Sequence, residues 1–329
     1  MTYTTGQLIQ ATDYNGFVST NSGANINATW NSTYGQTSLA TVAAQSTVTA
    51  TQWASLNNTL TTIGTHQGTT LTSRTSPVAG NTISVLSNLS TDLGSVYTNR
   101  FNAASSGTQV VNWTGTASQT TQMGNHNSSW TITFTDTVTF ANATAATNFF
   151  GAGGIFKIQF SKSSTGTSAD TSWNNFATNV CGVVYFSSDA TSKTIGALTS
   201  FQGTKVVGGS GTPTVGTATG YNQLTGTPVT IYQQNDTTYN YTGDYIQVQA
   251  SKSGATMTLT TYWFSAARST SAPNRNISGG TATTPGNTTG GTAPTTIVSY
   301  LPPGTTTGFD TSVWGTPTVA STVSGTAYA

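Results

Sequence analysis

The amino-acid sequence predicts a mostly β chain with a small helical N-terminal region: an antiparallel β-sandwich plus extended C-terminal strands. Three observations predict it. Apolar residues recur with a period near 3.6 through about the first hundred positions, and from about Gly107 the period falls to 2. Threonine, serine, asparagine and glycine take the places that charged residues usually hold, and β-branched threonine suits strands.

Asp13 stands where it can cap a short helix bearing Tyr14, Phe17 and Val18 at i, i+3, i+4 spacing. Thr49 or Thr51 caps a second helix, which shows Trp53, Leu56, Leu60 and Ile63 on one face and ends near Gly64. Beyond Pro77 and Gly80, Asn81 or Thr82 opens a third, with Ile83, Leu86, Leu89, Leu93, Val96 and Tyr97 as its apolar side, running to about Phe101. Their many Thr and Asn residues lower helix propensity by roughly several tenths of a kcal/mol each against Ala. Such helices need partners, either one another or a neighbouring subunit. Residues 1–105 therefore read as a docking and oligomerisation region, with Tyr14, Phe17, Trp53, Leu56, Leu60, Leu86, Leu89 and Leu93 as its candidate assembly residues.

Residues 106–268 read as the sandwich. Trp130, Ile132 and Phe134 alternate with threonines; Phe156, Ile158 and Phe160 alternate with Lys157 and Gln159. Val229 and Ile231, then Ile246, Val248 and Ala250, then Met257, Leu259 and Trp263 repeat the pattern of strands with one face in a core. Val183 to Phe186 is continuously apolar and reads as a strand buried on both faces. Gly151-Ala152-Gly153-Gly154 precedes an alternating strand, so it is a tight turn and not a phosphate cradle, which needs a helix after it. Residues 269–296 are a Gly/Pro/Thr-rich linker or long loop, and 297–329 form an extended strand segment that lies along the sandwich or on a neighbour. No fixed-period repeat is present, which disfavours a solenoid.

Of 329 residues only 5% are charged, against about 25% in ordinary domains. All eight acidic residues are aspartates, and the net charge of +1 gives no electrostatic case for nucleic acid or an anionic membrane. Hydrophobic residues still make up 35%, with seven tryptophans, so cores can form beneath a surface of hydroxyls and amides. That surface lacks the charge that keeps free monomers apart, so self-assembly is its natural context. The single Cys181 excludes an intramolecular disulfide and reads as a small buried apolar residue. The first residues have neither the basic region nor the apolar core of a secretory signal, and no run is long enough to span a membrane.

Material for catalysis is thin, and no catalytic, metal or cofactor residue is assigned. Asp92 reads as exposed on its helix, and Asp136, Asp189, Asp236 and Asp244 fall where turns or strand ends are expected. Glycan hydrolysis would need two of them to meet across a groove. His66 and His126 each stand alone, without zinc-type spacing, and read as solvated or hydrogen-bonded side chains; no Gly-x-Ser-x-Gly elbow or Asp-x-Asp run occurs. Tyr232, Tyr239 and Tyr241, set among Asn and Gln, have the chemistry to stack on sugar rings; packing within loops is the competing reading.

Three groups of residues carry a resemblance. Gly6-Gln7-Leu8-Ile9-Gln10-Ala11-Thr12-Asp13-Tyr14-Asn15 is one, and Val48-Thr49-Ala50-Thr51-Gln52-Trp53 with Thr65-His66-Gln67-Gly68-Thr69 is another. The third is Phe149-Phe150-Gly151-Ala152-Gly153-Gly154, followed by Ser172-Trp173. Over roughly residues 5–185 the chain is similar to virion structural proteins of T4-like bacteriophages, particularly those of marine cyanobacteria. It departs from that pattern at Gly151, where Asn is expected after the two Phe residues. The resemblance implies a non-enzymatic subunit of the tail, its fibres or the baseplate, made in the host cytoplasm and incorporated into the virion. Its partners would be copies of itself, in threefold or sixfold arrangement, and other virion proteins. A head or neck decoration protein, and a glycan-binding or glycan-cleaving adhesin that contacts host surface glycan, are the other readings of the same residues.

Overall fold

A computed structural model describes residues 10–21, 25–75, 78, 86–104, 111–116, 129–163, 168–237, 242–266, 294–304 and 306–325. The chain begins with α1 (Ala11–Asn15), which runs on into a π-helical turn over Gly16–Thr20, then α2 (Ile26–Trp30), α3 (Ala50–Gln67) and α4 (Leu86–Thr98). Asp13 is the third residue of α1 and not its cap: its carboxylate accepts from the Gln10 N–H at 2.9 Å. Thr49 caps α3 in a reciprocal box with Gln52, and Gly68, at φ +69°, ends it four residues beyond Gly64. The expected opening of α4 at Asn81 or Thr82, with Ile83, lies outside the described residues. So do residues 269–293 of the expected linker.

The β region starts with β1 (Val111–Thr116) and β2 (Trp130–Thr139), and then turns helical at α5 (Ala143–Gly151). Next come β3 (Ile155–Ser161), then α6 (Ser168–Asn175) with a second π-helical turn over Phe176–Val180. Strands β4 (Val183–Phe186), β5 (Lys193–Ile195), β6 (Leu198–Phe201), β7 (Thr204–Val207) and β8 (Thr214–Val215) follow. The chain completes its sheets with β9 (Val229–Asn235), β10 (Tyr245–Ser253), β11 (Thr256–Ser265), β12 (Thr295–Leu301) and β13 (Thr318–Gly325). The short helices inside this region have local causes that a period-2 reading passes over. Asn142 caps α5 by accepting from the Ala145 N–H, and three alanines follow it.

All the strand pairings are antiparallel. One sheet has the order β1-β12-β3-β4-β7 and the other β13-β2-β11-β10-β9-β8, with β5-β6 as a separate hairpin. The large sheets face each other across one core. Phe160 of β3 stacks on Tyr232 of β9 at 5.6 Å, and the Trp263 indole N–H of β11 donates to Thr296 Oγ1 of β12. At the flanks β1 lies beside β13 and β7 beside β8. A bulge at Ile231 puts two consecutive β9 residues, Ile231 and Tyr232, into the interior. The Val183–Phe186 run is not buried on both faces: Val184 and Phe186 are buried, while Val183 and Tyr185 on the other side are half-buried.

The helical region and the sandwich share a continuous core. Their joint is aromatic: Trp30, Tyr34 and His66 surround Phe309, which in turn contacts Trp314. Gln36 fastens the same joint by exchanging two hydrogen bonds with the backbone of Asp310, at 2.8 and 3.0 Å. Close approach also fixes Gly151, the departure noted above. A Cβ there would sit 2.2 Å from the Thr33 carbonyl oxygen, so the loop after α2 can lie on the end of α5 only because this residue has no side chain.

Candidate interaction surface

The six-stranded sheet turns one face to the core and one outward. Inward stand Trp130, Ile132, Phe134 and Val138 of β2, Met257, Leu259 and Trp263 of β11, and Ile246, Val248 and Ala250 of β10, all buried. Outward, the pairing register sets residues in rows across the strands. One row is Thr322, Thr135, Thr260, Gln249 and Thr230; the next is Ser324, Thr133, Tyr262, Gln247 and Gln233. A further row runs through Thr131, Phe264, Tyr245 and Asn235, where Tyr245 and Phe264 stack at 4.6 Å. The amides are linked: Gln249 donates to Gln247, Gln247 to Gln233 and Gln233 to Asn235, at 3.0, 2.6 and 2.7 Å.

No outward position of these rows carries a charge. Adjacent strands lie about 4.8 Å apart and each residue advances about 3.4 Å, so this face covers roughly 700 Å². One partner in a standard protein interface contributes about 800 Å². Covering such a face removes no ion from water, which is the costly part of burying polar surface. Its hydroxyls and amides still need hydrogen-bond partners, so it suits a flat surface of like chemistry.

The residues expected to mediate assembly are placed elsewhere. Tyr14, Phe17, Trp53, Leu56, Leu60, Leu89 and Leu93 are all buried in the chain's own core, none more than 3% exposed. Tyr14 packs edge-on against Trp53 at 5.4 Å, and Phe17 meets the same indole. Among the described residues, the apolar helix faces are thus buried against one another and against the sandwich. Leu86 opens α4, and its side chain lies outside the described residues. The sugar-stacking candidates divide in the same way. Tyr232 is fully buried, with its hydroxyl donating to the Cys181 carbonyl at 2.8 Å, so it presents no ring at the surface. Tyr239 and Tyr241 lie outside the described residues, as does His126.

Of the aspartates, Asp189, Asp236 and Asp244 do sit at turns and strand ends. Asp236 and Asp244 close the base of the β9–β10 loop through a backbone hydrogen bond, both buried and neither lining the groove described below. Asp92 is buried and not exposed; it pairs with Arg74 and accepts from the Thr72 N–H. Asp136 is the larger departure. It lies in the middle of β2 on the inward face, between Phe134 and Val138, and only Ser321 Oγ of β13 is seen to donate to it, at 3.0 Å to Oδ1. Burial pushes its carboxyl up to about 7. Cys181 is buried as expected, which pushes its thiol up to about 12 and leaves it a weak nucleophile. His66 is buried at the end of α3 and bonds the Ala152 carbonyl at 3.0 Å; burial pushes its ring down to about 4. Its ring borders a groove of about 560 Å³ whose other walls are Thr61, Thr62, Thr65, Ala104, Thr306 and Thr307. Among the described residues no three metal-ligating side chains cluster, and no helix is long and apolar enough to cross a membrane.

No protein-family model, curated protein or solved structure matches the chain.

Proposed function

We propose that this chain is a non-enzymatic structural subunit of a bacteriophage virion, associated with the tail, its fibres or the baseplate, where it assembles with copies of itself and with other virion chains. The observation that carries the proposal is the uncharged outer face of the six-stranded sheet, a flat array of Thr and Gln of interface size. The similarity of the N-terminal motifs to T4-like virion proteins supports the same reading. The described apolar residues of the helices lie in the chain's own core, so the sheet face is the better-supported surface for assembly.

The test is location together with one substitution. A gold-labelled antibody against the chain should decorate one fixed site on intact particles seen by electron microscopy. Thr260→Arg, in the middle of the face, should melt within a degree or two of the parent yet enter particles about tenfold less, a difference of roughly 1.4 kcal/mol. Particles that lack the chain, or a dispersed monomer that releases sugars, would sink the proposal.

A second reading draws on the aromatic row of this face. Tyr245, Phe264 and Tyr262 stand beside the Gln247 and Gln233 amides, a pairing of flat rings and hydrogen-bonding groups that suits a neutral host glycan. Binding of uncharged polysaccharide that is lost in Tyr262→Ala, with particle incorporation unchanged, would favour it.

A further inference from the structure

The two ends of the six-stranded sheet are built differently. A sheet edge carries a row of backbone N–H and C=O groups ready to pair with another strand, and natural edges are blunted by shortness, lysine, proline or a bulge. At one end β8 has only two residues, and β7 beside it carries Lys205. At the other end β13 is eight residues long, with no charge, no proline and an unbroken register against β2. Among the described residues β13 is ladder-bonded to β2 alone; β1 shares its flank but exchanges no ladder bond with it.

The side chains of β13 fall into two sets. Thr318, Ala320, Thr322 and Ser324 are exposed and extend the Thr/Gln face. Val319, Ser321 and Val323 turn to the sandwich interior, opposite Val138, Asp136 and Phe134, yet are only half-buried. The interior thus ends on this strand with two valines partly in water. This edge is also complementary to itself. Laid antiparallel on a second copy about a twofold axis through Ser321, Val319 meets Val323 of the second copy, Ala320 meets Thr322 and Thr318 meets Ser324. Inward residues then meet inward ones, the valines pair, and no charge is buried. An axis through Thr322 instead sets the valines against Gly325 and Ser321.

We infer that β13 is a contact between two copies of this chain, joined edge to edge in the Ser321-centred register so that their six-stranded sheets become one. This contact presupposes the assembly role proposed above and supplies one pairing of copies within it. A strand about 27 Å long in a layer about 10 Å thick offers roughly 270 Å² per partner, about a third of a standard interface. The pair is weak alone and gains strength where other contacts hold the copies together.

Sedimentation velocity and disulfide trapping on the purified full chain test it without particles, whereas the incorporation of Thr260→Arg tests the virion role, so the two can fail separately. The parent should dimerise reversibly as its concentration rises. Ala320→Lys with Thr322→Lys sets lysine against lysine and should weaken the dimer at least about tenfold. Ala320→Lys with Thr322→Glu sets opposite charges together and should hold it within about threefold of the parent. Both positions are exposed, so both variants should melt close to the parent. An equal mixture of Ala320→Cys and Thr322→Cys chains should form a disulfide dimer several-fold faster than either chain by itself. A parent that stays monomeric at every concentration, equal loss in both charge variants, or cysteine chains that cross-link no better mixed than separate would overturn the inference.

Discussion

Asp136 and His66 are ionisable side chains closed off from water, and burial moves them in opposite senses, to about 7 and to about 4. In an unfolded chain they titrate near 3.9 and 6.5. Between pH values of about 4 and 6.5, folding therefore takes up a proton at Asp136 and releases one at His66. The first makes stability fall as pH rises, the second makes it rise, each by up to roughly 1.4 kcal/mol per pH unit, and the two slopes largely cancel. Above about 6.5 only the Asp136 loss remains, and it is complete a little above 7. Asp136→Asn removes one side of this balance. Its melting temperature should climb with pH from 4 to 6.5, and at pH 8 it should exceed the parent in stability by up to about 4 kcal/mol. Thermal melts at pH 4, 5, 6 and 8 check this; a constant offset between the two proteins would mean that the carboxyl stays ionised in the fold. Gly151 gives a steric counterpart. Gly151→Ala drives a methyl into the Thr33 carbonyl, and urea titration should show a loss of about 2–3 kcal/mol.

At the scale of elements, α4 carries a glycine with the opposite prospect. A Cβ on Gly94 meets nothing within 4 Å, and its backbone is helical. Gly94→Ala should add about 0.5–1 kcal/mol, read as a later urea midpoint at unchanged slope. The helices and strands were legible wherever period and cap agreed: α3 from Thr49 and the Trp53-Leu56-Leu60-Ile63 face, β2, β3, β10 and β11 from strict alternation. Alternation could not warn of Asp136, because a carboxyl occupies an inward slot that the pattern reserves for apolar residues. Nor could it reveal α5 and α6, each shorter than three turns and set among strands, where tertiary packing outweighs weak local signals. The apolar helix faces were read correctly as needing cover, but sequence spacing does not say whether cover comes from the same chain or another. The interaction face was the least legible feature. Its outward threonines are visible as alternating residues, while the rows they form depend on a register that brings Thr322 beside Thr135 from the far end of the chain.

For the whole molecule, the C-terminal segment joins its two parts. Phe309 and Trp314 fill the aromatic joint with the helices, and Gln36 holds the Asp310 backbone from the other side. Gln36 is 2% exposed and both bonds run from its side chain to the backbone of one residue, so its removal forfeits two hydrogen bonds at once. Gln36→Ala should cost about 1–3 kcal/mol and let limited proteolysis cut near residue 310 before the rest of the chain is attacked. Cleavage at the same rate in both proteins would show that the two bonds do not hold the segment. Because β13 follows directly and lines the edge of the interaction face, such a cut should also disturb assembly.

β12 sits between β1 and β3 and is, among the described residues, the ladder partner of β1 in its sheet, although about 180 residues separate Thr116 from Thr295. A ribosome adding about 5–20 residues per second needs roughly 10–40 s to span that gap. Through that interval β1, joined by β3 once it too has been made, waits in the nascent polypeptide with their shared neighbour still unmade. Newly synthesised molecules should therefore be the aggregation-prone form, and high-yield expression should favour slow translation at low temperature or a co-produced chaperone.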